Sequence, residues 1–343
     1  MKMTRILKSA VLGLTALTIF AGCSWFGPKA SKEAQDAVHT AMNNSSKVKA
    51  GTYDLVLTGK VTAGKDSKAE FKELNGSMDF SGLYDIKSKV DPRFTFKLEA
   101  KGSVDGGKDQ SVGGEMRLAQ KNLYFSIGKL DIEGIPDLYK ATIAQFMNKW
   151  WFVALPADSF AKFAAAAGDE KDMTPQQKQI KELTEKTQFF KNVIDKGADK
   201  IGASDAKKYS AELDKEALTN YLSEVAKIGG STTFGDTKEF NKFMKDIEFK
   251  GDIWVNNSDQ TLAKLEGSLV LTPSKDNENT SLNLKVTYTA TNGDVKVDVP
   301  AGAELFDVAK LLGGAAAKAS SALDKAAEIK AQKDAVEKEL NAK

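Results

Sequence analysis

Large apolar side chains alternate with polar ones over long stretches of this chain. Tyr53, Leu55 and Leu57 alternate in one stretch, Phe94, Phe96 and Leu98 in another, and Leu123, Phe125 and Ile127 in a third, with Met116 and Leu118 as a shorter pair. A period of two means strands with one apolar and one wet face. The connectors Ala63-Gly64-Lys65-Asp66 and Asp105-Gly106-Gly107-Lys108 carry hairpin and loop chemistry. Residues 51–130 therefore read as an antiparallel meander. The pattern returns after Ile247, at Ile253 and Val255, then Leu265, Leu269 and Leu271, then Leu282, Leu284, Val286 and Tyr288. Val295, Val297 and Val299 predict a last strand, ending against Pro300.

Between and before these blocks the spacing becomes helical. Ser31 is a candidate N-cap for a helix to about Asn44, with Ala34, Val38, Ala41 and Met42 on one face. In the middle, a helix is expected from Pro136 to about Asn148, then a strand at residues 149–153. A short helix follows, capped by Asp158-Ser159 and running to Ala167. Thr174-Pro175 opens a helix expected to reach Lys196, since Thr suits the N-cap and Pro the first helical position. Two more helices are expected at 214–228 and 237–245. Strands, then helices, then strands predict an α+β fold in which one sheet is assembled from both halves and helices lie on one face.

The first 23 residues, MKMTRILKSAVLGLTALTIFAGC, behave differently. Lys2, Arg5 and Lys8 precede an apolar run, Ser9 to Ala21, of signal-peptide length and too short for an ordinary membrane span. The run ends in Phe20-Ala21-Gly22-Cys23. Small residues before a Cys at this distance resemble the lipobox of bacterial lipoproteins, with Phe20 where Leu is usual. The resemblance implies cleavage before Cys23 and acylation of that residue, the single Cys of the chain. Residues 1–22 are then a signal peptide, 23–30 a lipidated tether and 31–313 the folded domain. Residues 314–343, rich in Ala, Lys and Glu, form a helical tail. The expected location is the cell envelope: the outer face of the plasma membrane, or the outer membrane if one is present. In a two-membrane bacterium, Ser24 rather than Asp after the Cys resembles the pattern for outer-membrane sorting.

Composition narrows the chemistry. The 343 residues carry 49 Lys+Arg against 47 Asp+Glu, a formal net charge of +2, which leaves no basic excess for nucleic acid. One Cys and one His exclude an intramolecular disulfide and the usual four-ligand Cys/His zinc site. His39, the only base for a Ser-His-Asp arrangement, sits in the first helix and reads as structural. The acidic run Asp276-Asn277-Glu278-Asn279 lacks the glycine turn and terminal Glu of an EF-hand and reads as a hairpin tip. No phosphate loop, dinucleotide fingerprint or nucleophile elbow is present. No enzyme, cofactor or metal is expected. A hydrolase would need a buried carboxylate pair that sequence alone does not single out.

What remains is the apolar face. The order Tyr209-Ser-Ala-Glu-Leu-Asp-Lys-Glu-Ala-Leu218, Phe249-Lys-Gly-Asp-Ile-Trp-Val255, Leu265-Glu-Gly-Ser-Leu-Val-Leu271 and Val295-Lys-Val-Asp-Val-Pro300 resembles the carboxy-terminal half of the LolA/LppX/LprG-like lipoproteins. Lys149-Trp150-Trp151-Phe152-Val153 is similar to the strand before that family's central helices. The resemblance spans about residues 31–303. It implies a curved antiparallel sheet, an incomplete barrel, whose concave face is covered by helices and holds acyl chains. Expected lining residues are Phe94, Phe96, Leu98, Leu123, Phe125, Ile253, Leu282, Leu284 and Val286. Expected partners are the membrane, through the anchor, a lipid or glycolipid ligand, and an envelope protein. The alternative is a non-catalytic envelope lipoprotein with a filled core and a working C-terminal helix. An apolar cavity of a few hundred Å3 would favour the carrier.

Overall fold

Each run of alternating residues becomes one rung of a single sheet in the computed structural model. The structure describes residues 30–64, 70–88, 90–136, 140, 143–156, 173–229, 244–274 and 280–306. The leader with Cys23, residues 158–167, the 276–279 tip and the tail from 307 onward lie outside the described residues, as does most of the expected helix at 237–245.

The elements are α1 (Lys32–Ser45), β1 (Ala50–Thr62), β2 (Glu73–Asp85), β3 (Arg93–Val104), β4 (Gln110–Ala119), β5 (Asn122–Asp131) and β6 (Trp151–Ala154). They continue with α2 (Pro175–Lys186), β7 (Phe190–Ile201), β8 (Ser204–Leu213), α3 (Lys215–Gly229), β9 (Ile247–Asn256), β10 (Leu262–Leu271), β11 (Ser281–Asn292) and β12 (Glu304–Leu305). Among the described residues the sheet has twelve strands, in the order β12-β6-β5-β4-β3-β2-β1-β11-β10-β9-β8-β7. Two meanders, β1–β6 and β7–β11, join where β1 pairs antiparallel with β11. The edge strands β12 and β7 do not pair, so the sheet is open. The fold class is α+β, as the sequence predicts.

Helix α1 begins where expected. Ser31 is extended, and its side chain accepts from the Ala34 amide. The helix buries Ala34, Val38 and Ala41 against β7, β9 and β10. Further bonds fix it there: Ser45 Oγ accepts from the Leu262 amide at 2.8 Å, and Asn43 donates to the Glu185 carbonyl at 3.1 Å. His39 faces Asn43, its Nε2 3.1 Å from the amide nitrogen. The amino-terminal helix therefore covers the carboxy-terminal half of the sheet. Helix α3, capped by Asp214 Oδ1, adds Leu218 to the same core and packs on α2 through Tyr221, which hydrogen-bonds Thr184 at 3.0 Å.

Two expectations are corrected. The helix opened by Thr174 ends at Lys186; Thr187 is already extended (φ −85°, ψ 119°), and β7 starts at Phe190. Phe189, Phe190, Val193 and Ile194 are all buried. The ladder shifts register between Lys191 and Ile194 and again between Asp195 and Gly197. These bulges break the period of two and leave apolar residues at i, i+3 and i+4, the spacing of a helix. Asn192 has φ 54°, the local signature of the bulge. The second correction concerns residues 295–299, which form no strand. This segment is a strap: Arg93 donates to the Val297 carbonyl and Arg117 to the Asp298 carbonyl, each at 3.1 Å, and Lys87 pairs with Asp294. Val297 is buried. The alternation recorded one-sided burial, not a ladder. The strap delivers β12, which the sequence did not suggest, to β6 as a parallel pair. Of the expected helix at 136–148, Lys140, Ile143 and Ala144 are helical, and Met147 instead bridges to Ile127.

Candidate functional site: a half-covered apolar face

Strand registers align the apolar residues in rows across the sheet. One row runs Ile253–Leu265–Tyr288–Leu55–Phe80–Leu98, a second Ala290–Tyr53–Gly82–Phe96–Met116–Phe125–Trp151, and a third Val286–Leu57–Met78–Ala100–Val112. All nine expected lining residues lie on this one face: Phe94, Phe96 and Leu98 on β3, Leu123 and Phe125 on β5, Ile253 on β9, and Leu282, Leu284 and Val286 on β11.

The face is not uniform. Under α1 and α3 it is a filled core in which Ile253 and Leu265 are 0% exposed and Leu284 and Val286 are buried. Over β2–β5 the same rows stay half-open, whereas Leu118, between Phe94 and Leu123 in the row beside them, is 1% exposed. Met78 is 42% exposed and Met116 39%, and Phe94, Phe96, Leu98, Leu123 and Phe125 are only half-buried. Phe80 and Phe96 meet at 5.8 Å between ring centres. At the far edge Phe125, Phe146, Trp151 and Phe306 form an aromatic group, with Phe125 and Phe306 edge-on at 5.0 Å. Of the nine residues, Ile253, Leu284 and Val286 are thus spent on the core, Leu282 packs half-buried against it, and the β3 and β5 residues are half-exposed.

Sequence reasoning missed β2. Its apolar positions Leu74, Met78, Phe80 and Tyr84 share the face, but Gly76 and Gly82 interrupt the alternation. The glycines have a structural reason. Gly59, Gly76 and Gly102 stand in one row on β1, β2 and β3. A Cβ there would come within 2.4 Å of the Asn283 carbonyl, 2.8 Å of the Lys101 carbonyl and 2.5 Å of the Asn75 carbonyl, respectively. Glycine rows of this kind let strands approach and a sheet bend.

Three tyrosines lie at the seam between the two halves: Tyr288 on β11, Tyr53 on β1 and Tyr84 on β2. Burial pushes the Tyr288 phenol up to about 12, with smaller contributions from Tyr84 and Tyr53. Burial also raises Tyr53 and Tyr84.

The opposite face is polar and laced with ion pairs such as Lys97–Glu99, Lys208–Asp252 and Lys264–Glu266. Lys208 and Lys264 flank the Trp254 ring at 4.6 and 4.8 Å, and its indole N–H donates to Asp199 at 2.8 Å. An open groove of about 550 Å3 lies on this side, over Thr58, Ser77, Lys60, Lys101 and Lys285. It is an open trough lined by polar residues and glycines, not the enclosed apolar cavity that a carrier reading looks for. Among the described residues no group of three or more His, Cys, Asp or Glu could hold a metal ion. No described helix is long and apolar enough to cross a membrane.

In shape the chain is similar to LprF from Mycobacterium bovis. That superposition has a TM-score of 0.33 and 15% identity, and covers 80% of this chain and 100% of the other. The lipoprotein LppX from Mycobacterium tuberculosis gives a TM-score of 0.27 and 14% identity, covering 78% and 100%. A β-barrel-like protein from Brucella abortus gives a TM-score of 0.21 and 10% identity, covering 72% and 100%. No protein-family model matches the chain, and no curated protein matches its sequence. The strand order and side-chain placement above stand independently of these superpositions.

Proposed function

We propose that this chain is an exported, lipid-anchored envelope protein that holds the acyl chains of a hydrophobic ligand on the open half of its apolar face, over β2–β5. The observation that carries the reading is the continuity of that face. The same rows that form a solid core under α1 run on, without a change of chemistry, into half-exposed Phe, Leu and Met side chains. Large exposed apolar patches mark binding sites. Flexible, polarisable Met78 and Met116 suit a surface that adapts to chains of varied shape. Burying each CH2 of a ligand is worth ~0.8 kcal/mol, so chain length alone can supply affinity with no bond made or broken. The lipobox-like Phe20-Ala21-Gly22-Cys23 supports export and acylation at Cys23, with residues 23–30 as the tether.

Two measurements test this. Metabolic labelling with a tagged fatty acid should mark the wild-type chain and not Cys23→Ala. Organic extraction of the purified protein, followed by mass spectrometry, should release a non-covalent lipid in about equimolar amount. A protein free of extractable lipid, and unchanged in native mass after exposure to envelope lipids, would overturn the carrier reading and leave the interaction lipoprotein.

A further inference from the structure

The chain leaves the described fold beside the half-open face. Phe306 follows β12: its amide donates to the Phe152 carbonyl at 2.9 Å, and its ring meets those of Phe125 and Trp151. Those two residues belong to the apolar row that continues through Met116 to Phe96. The exit therefore lies at the rim of the open half, on its apolar side, and residues 307–343 follow. Every seventh residue from Val308 to Val336 is apolar, and so is every seventh from Leu312 to Leu340 except Lys333. Interleaved at steps of four and three, the two series make one stripe along a helix. Between its ends the stripe is mostly Ala. Layers interdigitate when large side chains face small ones, and the sheet offers the large partners: Met78, Phe96 and Met116, all only partly buried. Length and direction also fit. From β12 to β2 is five strand spacings, about 24 Å, and a helix over residues 315–340 would be about 39 Å long. Gly313-Gly314, shortly after Phe306, gives the backbone freedom to turn back.

We propose that residues 315–343 lie as a helix across the open half, over β2–β5, and act as a displaceable cover for it. The tether favours this occupant over a second copy, because a short link holds the tail at high effective concentration beside the face. A bare apolar face tends to associate with other apolar surfaces, and a cover built into the chain hides it until a ligand arrives. The Ala-rich stripe makes the cover displaceable. Small side chains bury little area per turn, so the docked state is weak, and an acyl chain that buries many CH2 groups on the same rows outcompetes it. The tail then sets how readily the face loads, since apparent affinity falls in proportion to the fraction of time the face is open. The docking stands on the exit of the chain and the patterns of the two surfaces. The competition rests, in addition, on the acyl-chain reading above.

The test uses the full chain in membranes from expressing cells. p-Benzoylphenylalanine in place of Ile329 reports what the stripe touches, and a photoactivatable n-alkane, below saturation, reports access to β2–β5. The alkane is compared on the wild type, on a chain ending at Phe306, which keeps the aromatic group, and on I329E/L340E, which keeps the tail and spoils its stripe. Crosslinks from position 329 are expected on residues 73–131 of the same chain. Alkane labelling of Met78 and Met116 should rise about fivefold in both variants, the ratio for a cover shut about four-fifths of the time. Crosslinks to a second copy or away from β2–β5, with equal alkane labelling of all three chains, would overturn the cover and leave the acyl-chain reading standing. Crosslinks over β2–β5 with no alkane labelling of any chain would overturn the acyl-chain reading and the competition with it.

Discussion

The two halves of the sheet are made from the same kind of strand yet end in different states. In β7–β11 the inward side chains pack with α1 and with Leu218 of α3, and Ile253, Leu265 and Ile247 are sealed at 0% exposure. In β2–β5 the inward rows are as apolar, and among the described residues no helix caps them: α1 crosses to the other half, held by the bonds from Asn43 and Ser45. The difference teaches that strand patterning fixes which face is apolar but not how much of it is covered. Coverage depends on where a helix is tied down, and the bonds that hold α1 join residues 142 and 217 positions apart in the chain. The closed half holds the sealed core of the fold, and the open half leaves its apolar side chains half-exposed.

That contrast should appear most strongly in core truncations. Ile253→Ala or Leu265→Ala should cost about 3 kcal/mol, from lost burial and an unfilled cavity. Met116→Ala and Met78→Ala on the open half should cost under ~1 kcal/mol. Urea midpoints of the four variants test this, and equal losses in both halves would erase the distinction.

The seam between the halves is the next place to break. Gly59→Ala would force a methyl against the Asn283 carbonyl and the Leu284 side chain. Overpacking against backbone should cost about 2 kcal/mol. Gly106→Ala has open space around it and only the strain of a φ of 72°, so its loss should be nearer 1 kcal/mol.

The Tyr288 phenol gives a pH-dependent counterpart. Its folded value, about 12, lies above the ordinary value of 10. The folded state therefore keeps a proton that the unfolded chain loses. The resulting stability is intact below pH 10 and declines as pH rises from 10 through 12, by about 2 kcal/mol in all. Denaturation midpoints between pH 9 and 12 should fall less steeply in Tyr288→Phe than in the wild type. Parallel profiles would mean that the phenol is not buried at the seam. Smallest of all, Ser31→Ala removes the N-cap that accepts from Ala34 and should lower stability by about 1 kcal/mol.

Much of this arrangement was legible in the residues. The period of two in β3, β5, β9 and β11 placed all nine chosen side chains on one common face, and Ser31 and Thr174 marked two helix starts. Three things were not legible, each for a physical reason. Bulges around Asn192 shifted the phase of β7 into helical spacing. Glycines at 76 and 82, needed for close strand approach, hid β2 and with it Tyr84. Val295 to Val299 alternate because one side is buried under a strap, a pattern identical to that of a strand. The split between filled and open halves was illegible because alternation is the same under a helix and under solvent. Sequence placed Ile253 and Phe96 in one group, and only the path of α1 separates them.

The most direct test of the account is where an apolar probe binds. The wild-type chain should be exposed in its own membranes to a photoactivatable n-alkane, then digested and mapped by mass spectrometry. The account predicts adducts on Met78, Phe96, Met116 and Phe125, and none on Ile253, Leu265 or Leu269 in the sealed half. Adducts absent from β2–β5, or spread equally over β9 and β10, would contradict it.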